Sequence, residues 1–340
     1  MTHIAMDVHQ ATSTLAYVVP GGERPQVRRV TTSAEQIGAV LAELPQPWVV
    51  AVEASRQSPA VCKWLQALGA EVHLADPQQL HQLGKLQAAK TDGKDALVML
   101  KALVHGFLPE CYLAEPEVEA QRALSRGRMM LRRMATMLRN QLRALLAQQG
   151  LSCAARDLRG QRARGQLVEL LGRLPQLVAF IAGVCWDLLE QVELALATAE
   201  AEMRRQVQAH PVGRLLLQLP GVGVVTAFGL LAEIGDVARF DTPKQLHSYA
   251  GLTPRVRQSD SFDGQRYLPQ RCSKRLRYWS VLAAQGAVRS DGTSRMAQAY
   301  QRLRTRHGPN TAKVAAARVL LTEVFYRWRH AAALPRDAVA

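Results

Sequence analysis

What this 340-residue chain lacks narrows its class before any motif is read. Acid is scarce: 28 Asp and Glu stand against 43 Lys and Arg, a formal net charge of +15 with a pI near 10.2. A surface so short of carboxylates carries a strong positive field that attracts polyanions, and nucleic acid is the leading partner. Cysteine is sparse and badly spaced for chemistry. Cys62, Cys111, Cys153, Cys185 and Cys272 make an odd number with no C-x-x-C pair, which fits neither a disulfide framework nor a zinc site and leaves ordinary thiols. No run of about 18 apolar residues occurs and no signal-peptide core follows the N-terminus, so the expectation is a cytoplasmic protein with no membrane partner. Disorder is excluded as well, because 48% hydrophobic content and a mean hydropathy of −0.09 describe a globular chain with room for two or three domains.

Against that deficit, four carboxylates in the first hundred positions stand out: Asp7 in HIAMDVHQ, Glu53 in WVVAVEAS, and Asp92 with Asp95 in KTDGKDA. The first two close short β-branched or apolar runs and are expected at strand ends. Asp92 and Asp95 open an amphipathic helical stretch and share its first turn. Taken singly, each is more ordinarily a cap or a turn residue. Together, three elements aiming carboxylates at one point supply the oxygen ligands that hard divalent cations want. Two such ions held roughly 3.5 to 4 Å apart are a recurrent device for cutting phosphodiesters. His9, two positions after Asp7, is given no role, since a lone histidine at a strand end is structural by default.

Residues 1–108 alternate strand-like and helix-like segments. Strands are expected at HIAMDVH, TSTLAYVV, QVRRVTT, WVVAVEA and EVHLAD, and helices over 33–44, 59–68, 78–83 and 93–104. Two hairpin strands followed by βα units make an α/β domain with a mixed sheet, compatible with a ribonuclease H-like fold. Residues 109–210 read as an all-α, coiled-coil connector: one long helix over 115–150, a second over about 175–210, and Leu124, Leu131, Leu138 and Leu145 at heptad spacing. That stripe is either the seam of an antiparallel pair or a dimerisation surface. Arg126, Arg128, Arg132, Arg133, Arg139 and Arg143 decorate the first helix without matching Glu on it, which points to backbone phosphates. Residues 211–330 form a mostly helical third region, followed by a tail over 331–340. Its Pro220-Gly221-Val222-Gly223 turn reads equally as a helix-hairpin-helix, with Gly221 and Gly223 letting backbone N–H groups approach a phosphate, or as a glycine turn joining two core helices.

Further on, the segment SYAGLTPRVRQSDSFDGQRYLPQRCSKRLRYWS joins the acidic tetrad in one pattern. In it the chain resembles the transposases of bacterial insertion-sequence family 110, the DEDD or Piv-like recombinases. Asp7, Glu53, Asp92 and Asp95 match the family's tetrad, and Ala250, Gly251, Leu252, Pro254 and Ser259 match its C-terminal motif, over roughly residues 3–330. Two departures are Asp260, where the family has glycine, and Ser273 in CSKRLR, where it has asparagine. The resemblance implies a RuvC-like catalytic domain, a helical connector and a C-terminal serine transposase domain. It also implies Mg²⁺, with Mn²⁺ a possible substitute, on Asp7, Glu53, Asp92 and Asp95. Ser259 would be the covalent nucleophile toward DNA, with active sites shared between protomers of a dimer or tetramer. Arg255, Arg257, Lys274, Arg275 and Arg277 would neutralise or position phosphate. Donor and target double-stranded DNA, and a structured noncoding guide RNA, are the implied partners of a bacterial, nucleoid-associated protein.

Two other functions share these features. A RuvC-like structure-specific endonuclease would use the carboxylates with water and two metals and leave Ser259 a bystander. An inactive, domesticated transposase would keep only nucleic-acid binding, and Asp260, a carboxylate beside the serine, is its best support.

Overall fold

The computed structural model describes residues 1–22, 24–84, 92–152, 161–256 and 266–333, with backbone alone for 84, 92–94, 161–164, 256, 266 and 333. The chain divides into two units, Met1–Ala114 and Glu115–Ala340.

The first unit is built on five strands, β1 (Thr2–Val8), β2 (Thr12–Val18), β3 (Gln26–Thr31), β4 (Trp48–Glu53) and β5 (Glu71–Ala75), in the order β3-β2-β1-β4-β5. The first three pair antiparallel, while β1, β4 and β5 run parallel. Strands β1 and β4 read as nearly unbroken apolar runs because both of their faces are covered. On one face Ile4, Met6, Leu15, Val50 and Val52 meet Ile37 and Leu41 of α1 (Ala34–Ala42) and Val61 and Leu65 of α2 (Ser58–Ala67). The other face presents only alanine at its centre, Ala5, Ala16, Ala51 and Ala75. There Leu80 of α3 (Pro77–Gly84) packs beside Ala96, Met99 and Leu100 of α4 (Asp92–Val104). Small residues let α4 lie close to the sheet. After α4 the chain returns along β5, where the Cys111 N–H donates to the Leu74 carbonyl at 2.6 Å.

In the second unit two long helices, α5 (Pro116–Gln148) and α7 (Gln176–Ala209), pack antiparallel as the apolar periodicity predicts, with α6 (Gln161–Leu171) beside them. Leu138, Leu142, Leu145 and Leu146 are buried against Cys185, Leu189, Val192 and Leu196. Leu131 joins this core and Leu124 packs on the next one, so the heptad stripe is an intramolecular seam and not a dimerisation surface. The remainder comprises α8 (Pro211–Leu217), α9 (Val224–Ile234), α10 (Pro243–Tyr249), the paired strands β6 (Arg255–Val256) and β7 (Arg266–Tyr267), α11 (Lys274–Ser290) and α12 (Arg295–Ala333). Helix α9 is buried from Thr226 to Ile234 and forms the axis of this core, with Trp279 of α11 against Gly229. Helix α12 is broken at Gly308, whose φ is +78°, and resumes at Pro309, which cannot continue the hydrogen-bond ladder. Among the described residues no helix is long and apolar enough to cross a membrane.

Candidate active site and nucleic-acid interface

Asp7 is the penultimate residue of β1 and Glu53 the last of β4. Met6 pairs with Val52 in register, so the two carboxylates follow in step at the same end of neighbouring parallel strands. Side chains alternate along a strand, and both belong to the alanine face beneath α4. Asp95 stands in the first turn of α4. It lines a cleft of about 290 Å³ together with Glu53, Val98 of α4, and Pro77, Leu80 and His81 of α3. Asp7 is 7% exposed, and its Oδ2 lies 3.3 Å from Nε2 of His9. Asp92 begins α4, but its side chain lies outside the described residues, and among those described no three His, Cys, Asp or Glu side chains group closely enough to hold a metal ion. Three of the four expected carboxylates stand on three elements at one end of the sheet, Glu53 and Asp95 in one cleft and Asp7 on the neighbouring strand. Their donors are all carboxylate oxygens, which fits a hard divalent cation and not a soft one. His9 meets Asp7 from two positions further along the chain, as its spacing allows, whereas His81 enters the cleft from α3, which sequence spacing does not link to Glu53 or Asp95.

The C-terminal motif is a turn of defined geometry. Helix α10 ends with Gly251 at φ +65°. The Leu252 N–H bonds to the His247 carbonyl at 2.9 Å and the Gly251 N–H to the Ser248 carbonyl at 2.9 Å, the Schellman pair that satisfies a helix C-terminus. A Cβ on Gly251 would lie 2.1 Å from Nη2 of Arg277 and 2.6 Å from Cys272, so glycine is required twice over. The chain then leaves through Pro254 into β6, whose Arg255 faces Tyr267 of β7. Residues 257–265 join these strands, and Arg257, Ser259 and Asp260 lie outside the described residues. Ser273 caps α11, its hydroxyl accepting from the Leu276 N–H at 3.2 Å. Serine and asparagine are equivalent N-caps, so this departure from the family pattern preserves the local physics.

Among the expected phosphate contacts, Lys274 and Arg275 are exposed in the first turn of α11, as is Arg255 on β6. Cations at a helix N-terminus oppose the dipole at a cost of about 0.3 to 1 kcal/mol each, a cost that a bound anion removes. Arg132 is half-buried on α5. Others are engaged in the fold. The Arg277 guanidinium donates to the Ala250 carbonyl at 3.2 Å and the Pro269 carbonyl at 2.6 Å, which ties the α10 cap to the segment before α11. Arg139 is buried and paired with Glu193 of α7, and Arg128 pairs with Glu200 at 2.5 Å. The phosphate reading of Arg139 is therefore corrected: the acidic partners missing from α5 sit on the facing helix. Arg126 is part-exposed, 3.8 Å from the buried carboxylate of Glu233. The glycine turn divides likewise. Gly221 is packed onto α11, where an added Cβ would meet the Ala287 nitrogen at 2.0 Å, so its role is close packing and not phosphate approach. Gly223 is exposed at the N-cap of α9 with open space around it.

Two family models match this chain. One, a DEDD model of the IS110 type described as "Transposase", covers residues 4–150, and one described as "Transposase IS116/IS110/IS902 family" covers residues 213–301. The chain belongs to the IS110/IS116/IS902 transposase family. A "Probable family 20 transposase" of Pseudomonas aeruginosa is 28% identical over 83% of this chain and 84% of its own length. The "Transposase for insertion sequence element IS1111A" of Coxiella burnetii is 26% identical over 74% and 69%, and that for IS1328 of Yersinia enterocolitica is 26% identical over 84% of each. The first model spans the transposase's sheet, its acidic edge and α5. The second runs from α8 through the Gly251 cap and α11 into α12. The family makes this protein an insertion-sequence transposase, a DNA-binding and DNA-cleaving enzyme of a class that generally uses divalent metal ions. Sequence reading passed over one basic surface of the transposase, Arg302, Arg304 and Arg306, all exposed on α12. The run RLRTRH was its signal.

Proposed function

We propose that this transposase cuts and rejoins DNA through a covalent serine–DNA intermediate, with Asp7, Glu53, Asp92 and Asp95 as the ligands of Mg²⁺ or, in its place, Mn²⁺. The observation that carries the reading is the acidic edge, where Glu53 and Asp95 share one cleft and Asp7 stands on the neighbouring strand. When bound, the cation supplies charge neutralisation at the phosphate and activation of an oxygen. The strand order and the switch from antiparallel to parallel pairing at β1 support a ribonuclease H-like, RuvC-like sheet. In the second unit, Ser259 Oγ forms the bond to phosphorus while a bond from phosphorus to a ribose oxygen breaks, and the released hydroxyl later reverses the step. Arg255, Lys274 and Arg275 hold the DNA backbone, and Gly223 admits a phosphate to the first turn of α9. Residues 109–210 act as the connector between catalytic domain 1–108 and transposase domain 211–330, in a dimer or tetramer directed to donor and target DNA by a structured guide RNA.

The test is a nicked suicide substrate built from the element's junctions. A phosphoserine ester to DNA should form in the wild type and in Ser261→Ala, at the second serine of QSDSFDG, and be absent from Ser259→Ala. Mixing Ser259→Ala with Asp7→Ala should restore it where sites are shared between protomers. An adduct on Ser261, or free hydroxyl and phosphate ends without any adduct, overturns the serine mechanism. The latter outcome favours the hydrolytic RuvC-like endonuclease, a reading supported by the fact that all four carboxylates belong to the unit Met1–Ala114.

A further inference from the structure

A cleft of about 530 Å³ in the second unit lies between the β6–β7 pair and the broken helix α12, apart from the acidic site and the basic residues described above. Its floor is apolar and half-buried: Leu268, Leu303 and Val314. Its exposed rim carries Tyr267, His307 and Arg318 beside the neutral polar Asn310 and Thr311. The break at Gly308 and Pro309 shapes it, since Leu303 and His307 precede the break and Val314 and Arg318 follow it. No acidic residue is among the described lining, and Arg304 and Arg306 stand exposed on the same helix. The volume is within the range of about 300 to 1,000 Å³ that holds compact organic ligands. A ligand that suits an apolar floor, an aromatic edge and a cationic mouth is flat, weakly polar and anionic at one end. We propose that the cleft receives one unpaired nucleobase, stacked on Tyr267, with its phosphate toward Arg318.

The cleft touches Pro254 and Tyr267, which in sequence precede and follow the segment that carries Ser259. The proposal rests on the nucleic-acid reading above, but its test reads no cleavage. A short single-stranded oligothymidylate with one central 2-aminopurine is titrated against the full-length protein, beside the same strand with an abasic residue at that position. Base–aromatic stacking predicts about tenfold tighter binding of the base-containing strand and quenching of its fluorescence. Val314→Trp, which fills the floor, and Thr311→Trp, at the exposed rim, should each abolish the preference while leaving affinity for the abasic strand unchanged. Equal affinity for the two strands in the wild type, or a preference that survives in both variants, overturns the proposal. Absence of a Ser259 adduct with the preference intact removes the serine reading and leaves the base pocket standing.

Discussion

Gly221→Ala separates packing from phosphate approach at the turn before α9. The φ of Gly221 is +75°, and an ideal Cβ there would lie 2.0 Å from the Ala287 nitrogen, 2.4 Å from the Ala283 oxygen and 2.6 Å from the Gly286 carbonyl carbon. All three are backbone atoms of α11, so no rotamer change relieves the overlap. The left-handed conformation costs an alanine about 1 to 2 kcal/mol, and overpacking that must push a helix adds about 1 to 3. The substitution should therefore destabilise the helical unit by about 2 to 5 kcal/mol. With a urea slope of about 2 kcal/mol per molar, the midpoint falls by roughly 1 to 2.5 M. Gly223→Ala is the control: its φ is −92° and no atom lies within 4 Å of the added Cβ, so its stability should change by less than about 1 kcal/mol. Urea melts, with hydrogen exchange read on peptides from Lys274–Ser290, give both numbers. If Gly221→Ala melted within about 0.5 kcal/mol of the wild type yet lost DNA affinity, Gly221 would be a phosphate glycine and the packing account would be wrong.

The strands and the two long helices were legible because their signals are local. WVVAVEA became Trp48–Glu53, and the proline-free stretch 115–150 became Pro116–Gln148, each fixed by periodicity within a single element. Glu53 and Asp95 were legible as strand-end and helix-start carboxylates, and topology then brought them to one cleft. What escaped was long-range pairing. Arg139 looks unmatched along α5 because Glu193 is 54 residues away on the facing helix. The glycine of the A-G-L motif was visible as a motif residue, but its reason, a left-handed cap pressed against Arg277, depends on a side chain brought in from α11. For the same reason Arg277 looked like one more free cation of a basic segment.

Three further outcomes are expected. Asp7→Asn and Asp95→Asn should each abolish strand cleavage on a labelled junction substrate while melting no lower than the wild type, since removing a carboxylate from an acidic cluster relieves repulsion; full recombination by either variant sinks the metal-site reading. Log affinity for DNA should fall linearly with log salt, and Lys274→Ala or Arg275→Ala should each reduce that slope by roughly 1. Arg139→Ala should leave the slope unchanged and cost about 3 to 5 kcal/mol of stability, as loss of one partner from a buried pair does. The last outcome concerns His247, which is 6% exposed, with Nε2 3.1 Å from the Thr322 hydroxyl. Burial, and then the Arg318 charge, push its pKa down to about 4 from an ordinary 6.5. Between those values the unfolded chain binds more protons than the folded one, so stability rises with pH across that window. The contribution of a neutral His247 is complete above pH 6.5 and is lost as pH falls toward 4. At about 1.4 kcal/mol per pH unit it amounts to no more than about 3 kcal/mol. Urea melts from pH 7.5 down to 4 should therefore show the wild type losing that much more stability than His247→Gln, which carries no titrating group. Parallel profiles for the two proteins would mean that His247 charges freely in the folded state, and that α10 and α12 open to water at its ring.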